Sequence, residues 1–194
     1  TSFRNGNIAA AVVSLGEFGI ILALPLWLQF VLGFDALRTG LLLLALAGGS
    51  FLASGVAGAT SGRSAPVWIV RIGLLAEIIG VAGVGLAIGP EASGVPLIPL
   101  LFVYGRGVGL ATAQLTGVVL ADVPVADSGA ASGTQSTSRQ LGAALGVAIL
   151  GTVLFTSTAG ILSSALDDQG VSAAQRDQVV TSVVDSAGAA IDGL

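Results

Sequence analysis

Long apolar segments separated by short polar turns dominate the hydropathy pattern of this chain. The segments cover residues 8–32, 39–60, 67–88, 96–121 and 132–163. Each is longer than the ~20 apolar residues that a helix needs to cross the ~30 Å hydrocarbon core of a bilayer. Lipid offers no hydrogen-bond partner to open backbone groups, so spanning segments close their hydrogen bonds within helices. The pattern therefore predicts an all-α integral membrane protein with five transmembrane helices and no strand.

The C-terminal residues 166–194 have a different pattern. Apolar side chains recur there at helical spacing, at Val179, Val180, Val183, Val184, Ala187 and Ile191. Asp177, Asp185 and Asp192 interrupt them, which makes the segment too charged to span a membrane. The spacing predicts an amphipathic helix that lies outside the membrane, on the surface of the protein or of the bilayer. A frayed tail of a truncated chain is the alternative.

Composition supports a membrane protein and excludes several other classes. Charged residues make up 9% of the chain and hydrophobic ones 54%, whereas soluble domains carry about 25% charged residues. The net charge of −4, with acids gathered near the C-terminus, excludes a nucleic-acid partner. Histidine and cysteine are both absent, so we expect no metal, no cofactor and no enzymatic activity. Methionine is also absent, even at position 1, and this suggests a piece of a longer protein.

The arginines indicate an orientation in the membrane. With the N-terminus in the cytoplasm, the inner face holds Arg4, Arg63, Arg71 and Arg139, and the outer face holds Arg38 and Arg176. Cytoplasmic loops carry an excess of positive charge in most membrane proteins. We therefore predict a multi-pass protein of the plasma or inner membrane, with a cytoplasmic N-terminus and an extracytoplasmic C-terminal segment.

Three motifs are similar to a known family. They are Ala-Leu-Pro-Leu-Trp-Leu-Gln at 23–29, Gly-Arg-Gly-Val-Gly at 105–109 and Ser-Gly-Thr-Gln-Ser-Thr-Ser-Arg-Gln-Leu-Gly at 132–142. Together they resemble the C-terminal half of the fourteen-helix drug:proton antiporters of the major facilitator superfamily, of the EmrB/QacA type. Two features depart from the family pattern. Arg106 stands at a usually uncharged position, and the loop at 58–63 lacks its usual acidic residue.

The resemblance carries expectations about architecture and function. Residues 1–165 would supply five spans of a six-helix half-bundle, with helices one, two, four and five facing an absent N-terminal half and helix three behind. Residues 166–194 would lead to a missing last span. The whole protein would be a proton-coupled exporter of small hydrophobic or cationic compounds. A membrane fragment without transport, or a carrier of another substrate class, remains the alternative.

Charged residues near the middle of the spans are the first candidates for substrate or proton binding. Glu17, Glu77 and Arg106 each lie nine or ten residues inside a span end, which is ~15 Å deep. A charge at that depth costs about 2.5–3.5 kcal/mol on insertion scales and usually faces the bundle interior. We predict that Arg106 faces Glu17 across the cavity, with Glu77 as a competing partner. A pair that only locks helices together is the alternative.

Two further groups of polar residues are candidates. Gln29 and Gln114 could bind a ligand, although amides in membrane helices as often bond a neighbouring helix. Arg63, Asp122 and Arg139 are candidates for gating at the inner face, and Asp122 could equally be a solvated acid at a helix end. The Gly142–Gly146 pair predicts close helix packing inside the bundle. The predicted partners are lipid, protons, a small-molecule substrate and the missing half.

Overall fold

Helices make up nearly all of the regular structure in the computed structural model, which describes residues 2–59, 65–89 and 94–185. The helices are α1 (Ser2–Phe30), α2 (Ala36–Ala59), α3 (Pro66–Ala87), α4 (Leu97–Leu120), α5 (Ser128–Asp168) and α6 (Ala173–Asp185). A 3₁₀ turn at Val125–Asp127 precedes α5. In the described part of the chain, α1–α5 are long and apolar enough to cross a membrane, and no strand occurs. The prediction of five spanning helices is confirmed.

Two helices extend further than their apolar segments. The short polar lead before residue 8 is the first part of α1, where the Asn7 amide donates to the carbonyl of Phe3 at 2.9 Å. The polar stretch before Leu141 belongs to α5, where the hydroxyls of Thr134 and Ser138 each donate to a carbonyl four residues earlier. Such bonds satisfy polar side chains within the helix itself. With 41 residues, α5 is ~60 Å long and extends well beyond a bilayer core.

Local sequence signals set the helix ends between α1 and α3. Gly33 adopts a left-handed backbone with φ of 63° just after α1, a conformation that glycine adopts without steric cost. Asp35 then precedes α2, and its carboxylate accepts a hydrogen bond from the backbone N–H of Arg38 at 2.6 Å, as an N-cap residue does. Pro66 occupies the first turn of α3, where its missing N–H costs no hydrogen bond.

Helix α4 is the central helix of the bundle and touches its neighbours backbone to backbone. Gly105 and Gly109 lie against the carbonyls of Leu46 and Ser50 on α2. On the other side, Gly107 lies against the carbonyl of Gly73 on α3. A methyl group at any of these three α4 glycines would overlap backbone atoms of the facing helix. Small residues at such contacts are how membrane helices achieve close packing.

Helices α1 and α5 form a second closely packed pair. Gly142 and Gly146 on α5 lie against the carbonyls of Ala11 and Leu15 on α1. The predicted packing of this glycine pair inside the bundle is therefore confirmed. Helix α1 meets α4 through two apolar clusters, to which α2 and α3 each add a residue. The first contains Leu24, Leu28, Phe34, Leu42, Leu97 and Leu101, and the second contains Ala10, Val70, Leu115 and Val119.

The remaining helices pack at the periphery of this arrangement. Helix α3 packs mainly on α4, and its expected position behind the helices that face a second half-bundle stays a prediction. Helix α6 follows a turn at Gly170 and folds back on α5. Val183 is fully buried, and Arg176 forms an ion pair with Asp167 at 2.7 Å. Residues 186–194, which include the predicted positions Ala187 and Ile191, lie outside the described residues.

The backbone contact between α2 and α4 predicts a sharp difference between two substitutions on one helix. Gly105→Ala places a methyl group on the carbonyl of Leu46, whereas Gly117→Ala places the same group in open space. Overpacking of this kind costs about 1–3 kcal/mol. We expect Gly105→Ala to lower the Tm of the detergent-purified protein by several degrees. Gly117→Ala should leave the Tm unchanged or slightly higher, and equal Tm values for the two variants would contradict the packing.

Candidate functional site

Glu17 is a buried carboxylate at the middle of a membrane-spanning helix. It lies halfway along α1 and is 6% exposed. The hydroxyl of Thr112 on α4 donates a hydrogen bond to its Oε1 atom at 3.3 Å. A hydrogen bond from a neighbouring helix offsets part of the cost of holding a carboxylate away from water. The α1–α4 contact is therefore the centre of the candidate site.

Arg139 supplies a positive charge that acts on this carboxylate. It is half-buried on α5, and its charge attracts Glu17 without forming an ion pair within 4 Å. The guanidinium borders a cavity of about 350 Å³ between α1, α4 and α5. That cavity is lined by Ser14, Phe18, Thr116, Ser132, Gln135, Ser136, Arg139, Gln140 and Ala143. Across it, the amide of Gln135 donates to the hydroxyl of Thr116 at 3.1 Å.

The predicted pairing of Arg106 with Glu17 is wrong. The ion pairs formed by the described residues both involve Arg176, and neither includes Arg106. Arg106 is exposed in a groove between α2 and α4, with Leu52 and Val56 on its wall and its guanidinium carbon 5.7 Å from the Phe102 ring centroid. The glycines on either side of it admit the backbones of α2 and α3. They do not make room for the arginine side chain, which points away from α1.

Glu77 lies on α3 beside the same central helix. Its backbone and side chain pack against Gly107, and its Oε1 atom is buried without a hydrogen-bond partner among the described residues. It also lies close enough to Glu17 and Tyr104 for its charge to act on both. The expectation that it competes for Arg106 is not met, because the arginine forms no ion pair with either acid in the described part of the chain.

The two glutamine candidates are both engaged by backbone carbonyls. The Gln29 amide donates to the carbonyl of Pro25 in its own helix at 3.3 Å. The Gln114 amide is 7% exposed and donates to the carbonyl of Ala57 on α2 at 2.8 Å. Gln114 therefore holds α4 to α2. This is the structural alternative that the sequence left open, so the amide N–H that contacts α2 is not free for a ligand.

Of the gating candidates, Asp122 and Arg139 lie in the described residues, and they form no ion pair with each other. Asp122 is exposed just after α4 and forms no ion pair within the described residues. Arg63 lies outside the described residues. Arg139, the third candidate, belongs to the cavity beside Glu17, and its role as a gate stays a prediction. In the part of the chain that the structure describes, no group of three His, Cys, Asp or Glu side chains could hold a metal ion.

Sequence reasoning missed several hydroxyl side chains of the site. Thr112 and Thr116 lie one turn apart on α4, and Ser14 is 1% exposed on α1. A signal for them was present in the four-residue spacing of the two threonines on a largely apolar helix. Spacing alone did not show which helix they would face.

Together these features define a class of protein. Membrane-spanning helices enclose a hydrogen-bonded carboxylate at mid-depth, beside a polar cavity with one arginine, as in multi-pass membrane proteins that handle charged or polar solutes. The sequence model of the Major Facilitator Superfamily matches residues 2–147. This chain belongs to the Major Facilitator Superfamily.

Several curated proteins are similar to the chain. It is 36% identical over 182 residues to the probable actinorhodin transporter of Streptomyces coelicolor. The matched region covers 90% of the chain and 31% of that protein. It is 29% identical to the multidrug resistance protein B homolog of Mycobacterium tuberculosis, over 76% of the chain and 28% of that protein. It is also 29% identical to a tetracycline resistance determinant of Streptomyces rimosus, over 84% of the chain and 49% of that protein. The chain thus spans less than half the length of these relatives. No solved structure matches it significantly.

The site geometry predicts which introduced cysteine pairs can be crosslinked. This chain contains no cysteine, so no other thiol of the chain competes with an introduced pair for the crosslinker. Thr116→Cys with Gln135→Cys replaces two side chains in hydrogen-bond contact, and a short thiol crosslinker should join them in native membranes. Glu17→Cys with Arg106→Cys should stay unlinked. Glu17 on α1 contacts α4 at Thr112, whereas Arg106 lies in the groove between α4 and α2. Efficient linking of the second pair and none of the first would contradict the site.

Proposed function

We propose that this chain forms most of the C-terminal half of a proton-coupled drug exporter. The exporter would belong to the fourteen-helix drug:proton antiporters and would move small, largely hydrophobic compounds out of the cell in exchange for protons. Residues 1–165 would be five spans of the half-bundle, and the following segment would lie on the outer side of the membrane. The observation that carries the proposal is the Glu17 site, placed in a chain of this superfamily.

The relatives support the general class of activity. The names of the three relatives above refer to transport, multidrug resistance or tetracycline resistance. A fourth, the multidrug efflux pump LfrA of Mycolicibacterium smegmatis, is 31% identical over 78% of the chain. Each matches the chain with only part of its own length, so the activity of the whole protein is inferred from a portion.

The environment of Glu17 supports proton exchange. A carboxylate that couples transport to protons has to be stable both with and without its proton at the middle of the membrane. Without the proton, the negative charge is stabilised by the hydroxyl of Thr112 and by the field of Arg139. With the proton, the group is neutral and the desolvation cost of the charge disappears. The absence of a direct ion pair leaves this carboxylate free to change its charge.

The cavity beside Glu17 supports an exchange of a proton for a substrate, because it offers space for a ligand near the carboxylate. It opens between α1, α4 and α5 and reaches the α5 turns that precede Leu141. With the proposed cytoplasmic N-terminus, these turns are on the inner side of the membrane, where a drug would enter. In secondary transporters a site near the midplane is exposed alternately to the two sides as one bundle rocks against another. The present five helices would be one of these bundles.

Neutralising Glu17 in the full-length protein tests the proposal. We expect Glu17→Gln to reduce drug efflux driven by a pH gradient at least tenfold, because glutamine keeps the hydrogen bond but carries no exchangeable proton. Glu17→Asp should retain part of the activity, and Asp168→Asn serves as a control at an exposed acid. Efflux should be measured in proteoliposomes with a neutral hydrophobic dye, together with the amount of inserted protein. Unchanged gradient-driven efflux by Glu17→Gln would contradict the proposal and would show that Glu17 has a structural role only.

The reading frame around the chain tests the alternative of a fragment without transport. The proposal requires about two hundred upstream residues with further membrane spans, because alternating access needs two bundles. A natural gene that encodes the present segment alone would contradict a transporter, and the segment would then have a structural role.

A further inference from the structure

The cavity beside Arg139 has a chemical character that the general proposal of drug efflux does not specify. Among the described residues that line it, Arg139 is the one with a formal charge. The other lining side chains are neutral hydroxyls, amides, one alanine and one phenylalanine. Glu17 is not one of the lining residues, and it is buried at its contact with Thr112. A ligand in this cavity meets a positive charge first.

The neutral polar groups of the cavity are partly engaged with each other. The Gln135 amide donates to the Thr116 hydroxyl at 3.1 Å, and the Gln140 amide donates to the Ser136 hydroxyl at 3.3 Å. Arg139 has no such engagement, because it forms no ion pair and no hydrogen bond from its side chain in the described part of the chain. A half-buried guanidinium with five donors and no fixed acceptor is a preformed partner for an oxygen anion.

The charge of the lining disfavours a cation in this cavity. A guanidinium repels a cationic ligand at short range, and a low-dielectric surrounding strengthens that repulsion. Phe18 adds an aromatic face at the cavity wall, against which a planar ring can stack. The sequence-based expectation of cationic substrates therefore does not fit these residues.

We propose that the cavity between α1, α4 and α5 binds aromatic compounds that carry an acidic oxygen, with that oxygen on Arg139 and the ring against Phe18. The inference rests on the proposed function only in taking the ligand to be a substrate. Carboxylates, enolates and phenolates on a planar ring system share the required chemistry. The guanidinium determines the charge of the ligand, and the hydroxyls of Ser14 and Ser132 provide further hydrogen bonds to its oxygens.

Equilibrium binding of three matched probes to the full-length protein tests the inference. The probes are 2-naphthoate, its neutral methyl ester and 2-naphthylmethylammonium, which share one ring system and differ in charge. Binding is measured at neutral pH in phosphatidylcholine nanodiscs, with empty nanodiscs subtracted for partitioning into lipid. We expect naphthoate to bind at least tenfold more tightly than the ammonium probe. Equal affinities, or tighter binding of the ammonium probe, would overturn the inference.

Variants of Arg139 show whether the preference arises in this cavity. Arg139→Gln should weaken naphthoate binding at least tenfold and leave the methyl ester within threefold, which also shows that the variant is folded. Arg139→Lys should restore most of the naphthoate affinity because it restores the charge. Arg71→Gln on α3, whose guanidinium lies over Trp68, is the matched control and should bind like the unmodified protein. Unchanged naphthoate binding by Arg139→Gln would overturn the assignment.

Two further experiments distinguish this inference from binding of a lipid headgroup and from the proposed transport activity. In phosphatidylglycerol nanodiscs an anionic headgroup could occupy Arg139, and loss of naphthoate binding there would identify a lipid ligand and overturn the substrate assignment. Efflux of naphthoate and of ethidium from proteoliposomes tests transport separately. If neither compound is exported, the proposed function fails, whereas the Arg139 dependence of binding still decides the ligand chemistry of the cavity.

Discussion

The structure depends on backbone contacts that α4 makes with two helices at once. Lipid chains are as apolar as leucine side chains, so helices in a membrane gain little from hiding apolar surface from each other. Close packing has to supply the stability, and glycine permits the closest approach. On α4 the alternating glycines 105, 107 and 109 give one contact to α3 and two to α2. This fixes the rotation of α4 about its axis, and every polar group on that helix takes its direction from it.

That rotation explains the composition of the candidate site. With its glycine faces turned to α2 and α3, α4 presents Thr112 to Glu17 and Thr116 to Gln135 on α5. Arg106 is left on an exposed face beside α2. The glycine pair of α5 performs the same function against α1 and thereby brings Arg139 near the buried carboxylate. The site is thus built by three helices whose mutual rotation is set by small residues elsewhere on the same helices.

The sequence predicted the helices well, and the reason is physical. Crossing a bilayer requires long apolar segments, and a constant rise per residue converts position in a segment into depth. The mid-helix position of Glu17 followed directly from this conversion. The direction of each side chain did not follow, because these helices are apolar on nearly all sides and carry no strong polar stripe. The glycines on either side of Arg106 are contacts for the backbones of neighbouring helices, a role that has no local signal in the sequence.

The site also depends on contacts between residues that are far apart in the sequence. The serine, threonine and glutamine residues near Arg139 form a visible cluster in the sequence. Most of them bond within α5, whereas Gln135 bonds Thr116 on α4, and the cavity that they line is completed by α1 and α4. Long-range contacts of this kind have no local signal. The charge of the cavity, and with it the chemistry of a ligand, could be inferred only after α5 had been placed beside α1.

The central claim is that Glu17 exchanges a proton when the transporter binds its substrate. The most direct measurement is the number of protons released into weakly buffered solution when a transported drug saturates the full-length protein in detergent. The account predicts pH-dependent proton release that approaches one proton per binding site in the unmodified protein and disappears in Glu17→Gln at equal drug occupancy. Equal proton release by the two proteins would contradict the claim and would place the exchanging group elsewhere in the membrane.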